Sequence, residues 1–201
     1  MSATPTLILA STSRYRRELL QRLHMPFEVR DPRVDERALD AEQPAAIAAR
    51  LALAKARAVA TRYRDAVVIG SDQVAELDGR PIGKPGSHER AVEQLRRMSA
   101  RQVVFHTAVA VARQSTGFEG QLLASVRVGF RTLSDDQIEH YLRTEQPYDC
   151  AGSAKCETLG IALLEFIESD DPTALVGLPL IRTCQLLRQA GIEPLKAATA
   201  R

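Results

Sequence analysis

Between Ile69 and Pro85 the chain reads Ile-Gly-Ser-Asp-Gln-Val-Ala-Glu-Leu-Asp-Gly-Arg-Pro-Ile-Gly-Lys-Pro. A β-branched run, Val67-Val68-Ile69, ends in Gly70, and an acid, Asp72, and an amide, Gln73, follow it. Asp78-Gly79 supplies the turn of a hairpin, and the return strand delivers Lys84 just before Pro85. The pattern predicts a strand end that holds a carboxylate at a cleft and brings an ammonium back towards it. That pair suits metal-assisted chemistry on a phosphate.

Other segments offer groups of the same kind. Ser11-Thr-Ser-Arg-Tyr-Arg-Arg17 lies at a predicted strand-to-helix junction. Its helix-start N–H groups, the Ser13 hydroxyl and one or more arginines would form an anion cradle. The plain alternative is a capped helix with solvated arginines. There is no GxxxxGK[ST] loop and no GxGxxG, so the cradle is not of the Walker or dinucleotide type. Asp31, Asp35 and Glu36 form a second acidic group. Glu36 and Asp72 together would hold a hard divalent cation through oxygen, while alone the group reads as a solvated loop. A triphosphate carries roughly four negative charges and needs cations around it, which Arg16, Arg17, Lys55 and Lys84 would supply. On their own, Lys55 reads as a snorkelling helix residue and Lys84 as a loop charge.

The chain has 27 basic residues, of which only Lys55, Lys84, Lys155 and Lys196 are lysines. A retained lysine in so arginine-rich a chain marks a place that needs a compact ammonium and not a planar fork. His24, His88, His106 and His140 have no zinc spacing, and no GxSxG elbow appears. Nucleophilic hydrolase chemistry is not indicated.

The elements that must position these groups follow from periodicity. Leu7 to Ala10 reads as a buried strand, and Ser11 to Ser13 as the cap of a helix over Arg14 to Leu23. Phe27 to Val29 is a second strand. The Ala-rich stretch from Pro44 to about Tyr63 is a helix with Ile47, Leu51, Ala54 and Ala58 at helical spacing, and Lys55 beside that stripe. Ser87 caps a helix to Met98, two long strands follow over Val103–Arg113 and Leu122–Phe130, and Ser134 with Gln137 makes a capping box. A strand is predicted over Ile161–Ile167 and a last helix over Pro179–Gln189. Strands and helices are mixed without strict alternation, which favours an α/β or α+β domain with a mixed sheet over a Rossmann fold.

With 201 residues the chain fits one domain or two small lobes around a cleft. Hydrophobic content of 45% supports a core. A net charge of +2 argues against a nucleic-acid polymer as partner. Neither a signal segment nor a membrane-spanning run is present, and Cys150, Cys156 and Cys184 read as reduced thiols, so the expectation is a soluble cytoplasmic protein.

Five segments in order resemble the Maf family of nucleotide pyrophosphatases: Leu9-Ala-Ser-Thr-Ser-Arg-Tyr-Arg-Arg, Val34-Asp-Glu, Arg50-Leu-Ala-Leu-Ala-Lys-Ala, Ile69-Gly-Ser-Asp-Gln with Gly83-Lys-Pro, and Cys150-Ala-Gly-Ser-Ala-Lys-Cys-Glu-Thr-Leu-Gly-Ile. The resemblance implies hydrolysis of a nucleoside triphosphate to the monophosphate and pyrophosphate. It also implies a divalent cation (Mg2+ or Mn2+), an elongated inosine-triphosphatase-like α/β fold with a central cleft, and often a homodimer. It assigns Ser13, Arg16, Arg17, Lys55 and Lys84 to the phosphates and Glu36 to the metal. Asp72 becomes the proton acceptor for the attacking water or a metal ligand that orients it.

Within the family the chain resembles the branch acting on 7-methyl-GTP. The thymidine- and uridine-triphosphate branch tends to have Thr after Ser-Asp, an Arg in the first loop and a Gln in the late loop. Here Gln73, Tyr15 and Glu157 stand at those positions. An N7-methylated guanine is cationic, so the Tyr15 face would attract it, and Glu157 would accept from N1–H and the N2 amine. Gln73 would bind the base edge or position the water. Arg14 replaces the family's usual proline, and Tyr15 its frequent tryptophan. The competing readings are the same reaction on a pyrimidine or unmodified purine triphosphate, a nucleotide-binding regulator of septum formation, and an RNA-cap-binding module.

Overall fold

The computed structural model describes residues 5–196. Seven strands form one sheet: β1 (Leu7–Ala10), β2 (Glu28–Arg30), β3 (Val67–Leu77), β4 (Arg80–Ile82), β5 (Gln102–Arg113), β6 (Phe118–Phe130) and β7 (Leu164–Glu168). The order is β2-β1-β3-β5-β6-β7, with β4 also paired to β3. β1 runs parallel to β2 and β3, and every other pairing is antiparallel. The result is a mixed α/β sheet flanked by helices.

The helices are α1 (Arg14–Gln21), α2 (Pro44–Ala60), α3 (His88–Met98), α4 (Asp135–Glu145) and α5 (Leu180–Gln189). Successive strand residues face opposite sides, so each strand contributes to two cores. Val68, Val74, Ala108 and Ala110 pack on α2. From the other face, Ile69, Val109 and Val111 pack on α1 and α5 through Leu19, Leu20, Leu186 and Leu187. Further along that second face, Ala75, Leu77 and Phe105 meet α3 and α4 through Leu95, Ile138 and Leu142. No helix among the described residues is long and apolar enough to cross a membrane.

Four element boundaries differ from the sequence expectation. The run Val67-Val68-Ile69 does not end at Gly70; β3 continues unbroken for 11 residues, to Leu77. Gly70 is there for packing. A β-carbon on it would lie 2.3 Å from the Ala52 carbonyl oxygen and 2.6 Å from the Ala56 nitrogen, so a side chain would push α2 off the sheet. α1 stops at Gln21, where the Arg22 amide turns back to Leu19 and Leu20 and His24 takes a left-handed φ of 51°. β6 starts at Phe118, directly after a 3-10 turn and the left-handed Gly117. Residues Leu159–Leu163 form a 3-10 helix, and β7 begins only at Leu164. The tight turn is fixed by Gly160, whose missing β-carbon would sit 2.4 Å from the Lys155 carbonyl oxygen.

The sheet contains a gap. β1 pairs with β3 as far as Ala10 and Gly70, and β4 pairs with it only from Ala75. Residues 71–74 therefore have β5 on one side and no strand on the other. The loop leaving β1 and the loop leaving β4 flank that opening. It lies at the carboxyl end of the parallel pair, where open α/β sheets place ligands.

Candidate active site

A cavity of about 770 Å³ fills the gap, within the usual range for small-molecule sites. Of the residues singled out from sequence, Ser13, Tyr15, Arg16, Glu36, Lys55, Asp72, Gln73, Lys84 and Glu157 all line it. Arg17 does not; it points to solvent from the exposed side of α1.

The centre is a charged group on two buried elements. Asp72 sits in the middle of β3 and not at a strand end, and its residue is only 8% exposed. Lys55 lies on the buried face of α2, in register with Leu51 and Val59, and is 4% exposed. It is therefore no snorkelling surface residue. Its Nζ is 2.6 Å from Asp72 Oδ1 and 2.7 Å from Glu36 Oε1. A buried ammonium is tolerable only with such partners. Asp72 Oδ2 and Glu36 Oε2 have no partner among the described residues.

Glu36 rides on the irregular stretch between β2 and α2. Arg50 of α2 holds that stretch by pairing both Glu42 oxygens at 2.7 Å and donating to the Arg37 carbonyl. Burial pushes the Glu36 carboxyl up, but the Lys55 hydrogen bond and the charges of Lys55, Lys84 and Arg16 outweigh it and hold the group below its ordinary range. Lys84 is exposed at the rim, just past β4.

Arg16 is fixed from behind. Its Nε donates to the Gly177 carbonyl at 2.9 Å, and the Ser71 hydroxyl, 2.7 Å from the Ala108 carbonyl, shares its proton with the Gly177 oxygen at 3.0 Å. Burial lowers the Arg16 pKa, and the charges of Asp72 and Glu36 oppose that. Ser13 caps α1, its Oγ accepting from the Arg16 amide at 3.4 Å.

The base-side candidates are less uniform. Gln73 faces away from α2, and the two N–H groups of its Nε2 are shared among Thr107 Oγ1 at 2.9 Å and the Ala174 and Leu175 carbonyls at 3.0 Å. Two carbonyl acceptors settle which end is nitrogen. Only Oε1 is left to offer, as an acceptor. The Tyr15 hydroxyl accepts from Arg14 at 2.8 Å, and the Arg14 guanidinium carbon lies 4.7 Å from the ring centre. Burial, opposed by the Arg14 hydrogen bond, keeps Tyr15 a neutral phenol. Glu157 is exposed at the cavity edge, so the cost of an unpaired carboxylate arises only when a base covers it.

Glu157's loop is anchored by buried groups. The Tyr141 hydroxyl donates to the Ser153 carbonyl at 3.1 Å and accepts from the Lys155 amide at 3.0 Å, while Lys155 Nζ caps the Glu145 carbonyl at 2.5 Å. Sequence reasoning did not single out Gly177, Arg33 or Cys150 as cavity residues, yet all three line the cavity. The Gly177-Leu-Pro179 punctuation was the available signal for the first. Cys150 opens the last of the five family segments, which was its signal, and nothing local marked Arg33.

The donor set fits a hard divalent ion only in part. Two oxygens, Asp72 Oδ2 and Glu36 Oε2, suit Mg2+ or Mn2+, which bind through one or two carboxylates plus substrate phosphates. No group of three or more His, Cys, Asp or Glu is placed to hold a metal among the described residues.

Residues 6–190 match the family profile described as Maf-like protein. The chain is 67% identical over 192 residues to a 7-methyl-GTP pyrophosphatase from Polaromonas sp. (strain JS666 / ATCC BAA-500), spanning 94% of this chain and 88% of that protein. It is 63% identical over 191 residues to a 7-methyl-GTP pyrophosphatase from Albidiferax ferrireducens, spanning 95% and 96%. Among solved structures, the Staphylococcus aureus Ham1 protein overlaps 62% of this chain and 71% of its own at 17% identity and a TM-score of 0.45.

Proposed function

The chain belongs to the Maf family, and from that premise we propose that it hydrolyses 7-methyl-GTP to 7-methyl-GMP and pyrophosphate. The observation that carries the reading is the Lys55 ammonium bridging Asp72 and Glu36 inside a sheet gap rimmed by Arg16 and Lys84. Relatives sharing 63–67% of their residues are named for this activity.

In this reading Arg16, Lys84, Ser13 and the start of α1 hold the triphosphate. Asp72 Oδ2 takes a proton from a water that attacks the α-phosphorus, and the bond to the α–β bridging oxygen breaks, releasing pyrophosphate. Lys55 fixes the other oxygen of Asp72 and so sets the carboxylate's orientation. Gly177 holds Arg16 against the same pocket wall. With Asp72 Oδ2 accepting the proton, a divalent cation would be held by Glu36 Oε2, where it would neutralise phosphate charge and help align the leaving group. Tyr15 supplies a face for the methylated base, and Glu157 accepts from its N1–H and N2 amine. The homodimeric state enters this reading from the family resemblance, and cytoplasmic location from the reduced-thiol reading of the three cysteines.

The test is pyrophosphate release from 7-methyl-GTP, GTP, dTTP and UTP with Mg2+ or Mn2+. The expected result is the highest kcat/KM for 7-methyl-GTP. A better rate on dTTP or UTP rejects the base assignment, and no pyrophosphate from any of them rejects the hydrolase.

A further inference from the structure

Both acids of the site are already satisfied by a positive charge that the fold supplies. Lys55 Nζ touches Asp72 and Glu36 at 2.6 and 2.7 Å, and its stem lies in the buried stripe of α2 beside Ala52 and Ala56, which press on Gly70. Lys55 is only 4% exposed, and moving its ammonium off both carboxylates would leave a nearly buried charge unpaired. Arg14, Arg16, Arg33 and Lys84 line the same cavity with Lys55, and Asp31, Asp149 and Glu157 line it with Asp72 and Glu36, but Lys55 is the cation in direct contact with both Asp72 and Glu36. No third ligand of the His, Cys, Asp or Glu type stands with those two among the described residues.

A bare dication approaching this cluster meets like charge and half-used carboxylates. The same dication carried on a triphosphate arrives inside an anion, brings phosphate oxygens as ligands, and needs only Glu36 Oε2 from the protein. We infer that Lys55 holds the electrostatic place of the divalent cation in the nucleotide-free protein, so that the metal binds only as its complex with the triphosphate. The nucleotide half of this inference rests on the proposed function. The competition between Lys55 and the metal does not.

The experiment is Mn2+ titration of the full chain, read by electron paramagnetic resonance of free Mn2+ and by calorimetry. It is run with and without a 7-methyl-GTP analogue whose α–β bridging oxygen is replaced by CH2. Wild type is expected to take up Mn2+ stoichiometrically only with the analogue. Lys55→Met is expected to bind Mn2+ without nucleotide at least about tenfold more tightly than wild type, because a like charge is gone. Lys55→Gln, which keeps a polar end, is the second variant should the first not fold. Nucleotide-free wild type binding Mn2+ as tightly as either variant overturns the inference. So does equally weak binding by wild type and both variants. Nucleotide affinity is read in the same titration: a chain that binds no analogue rejects the proposed function, while the nucleotide-free arms still decide the role of Lys55.

Discussion

Gly70 and Ala56 stand so close that a β-carbon on the glycine would fall 2.6 Å from the Ala56 nitrogen. This contact brings the helix bearing Lys55 down onto the strand bearing Asp72. Gly70→Ala should therefore act twice. Overpacking of this kind costs about 1–3 kcal/mol, which in a chain of this size lowers Tm by roughly 2–12 °C. Turnover should fall as well, at temperatures where the variant is still folded. Thermal melts alongside pyrophosphate release check both, and an unchanged Tm would show that the helix has room to spare.

Asp72→Asn keeps the size of the side chain and removes its proton-accepting charge. The expected loss in kcat is about 10²- to 10⁴-fold, with nucleotide affinity within a few-fold. Turnover near wild type would remove Asp72 from the chemical step.

Base choice should depend on Tyr15 and Glu157 separately. A cation–π contact contributes about 0.5–2 kcal/mol, so Tyr15→Ala should narrow the preference for 7-methyl-GTP over GTP by about two- to thirtyfold. Glu157→Gln should relax purine against pyrimidine choice and spare the rate on the best remaining substrate. Competition assays with mixed triphosphates report both ratios, and ratios that do not move would clear these residues of base reading.

The stretch that carries Glu36 has its own acid-sensitive anchor. Arg50, and then the Leu39 amide, bring the Glu42 carboxyl from its ordinary 4.5 down to about 2. A depressed carboxyl contributes stability above its unfolded pKa and loses it as pH falls through the folded value. The stability difference between wild type and Glu42→Gln should thus be full at pH 7 and shrink between about pH 4.5 and 2. Urea unfolding across that range measures it; a constant difference would mean that Glu42 does not act through its charge.

Burial pushes the Cys150 thiol up to about 11 and the Cys156 thiol up to about 12. Both stay protonated at pH 7.5, and thiols alkylate as thiolates. Iodoacetamide labelling followed by peptide mass spectrometry should be slow at pH 7.5 and rise steeply above pH 10. Fast labelling of Cys150 at neutral pH would contradict the environment described for it.

Much of this was legible in the chain. The Ser13 cap, the Ser134–Gln137 capping box and the Asp78-Gly79 hairpin are local rules, and each forms where the sequence places it. Lys55 was visible as one of few lysines in an arginine-rich protein, although its burial was not, because a helix stripe does not say what charge waits opposite. Gly70 was misread as the end of a strand. Its reason is the approach of a distant helix backbone, which no local pattern encodes. Arg50 appeared within a family motif without a role; the structure shows it steadying Glu42 and Arg37. The tethering of Gln73 by Ala174 and Leu175 was equally hidden, since those carbonyls lie about a hundred residues away in sequence.

β3 passes without interruption from the α2 core into the core built on α3 and α4, with Asp72 midway. A continuous strand behaves as a stiff beam and makes a poor hinge. The two ends of the molecule are tied together through the residue that carries that acid, and the Asp72 carboxylate is held at a fixed distance from the floor of the sheet.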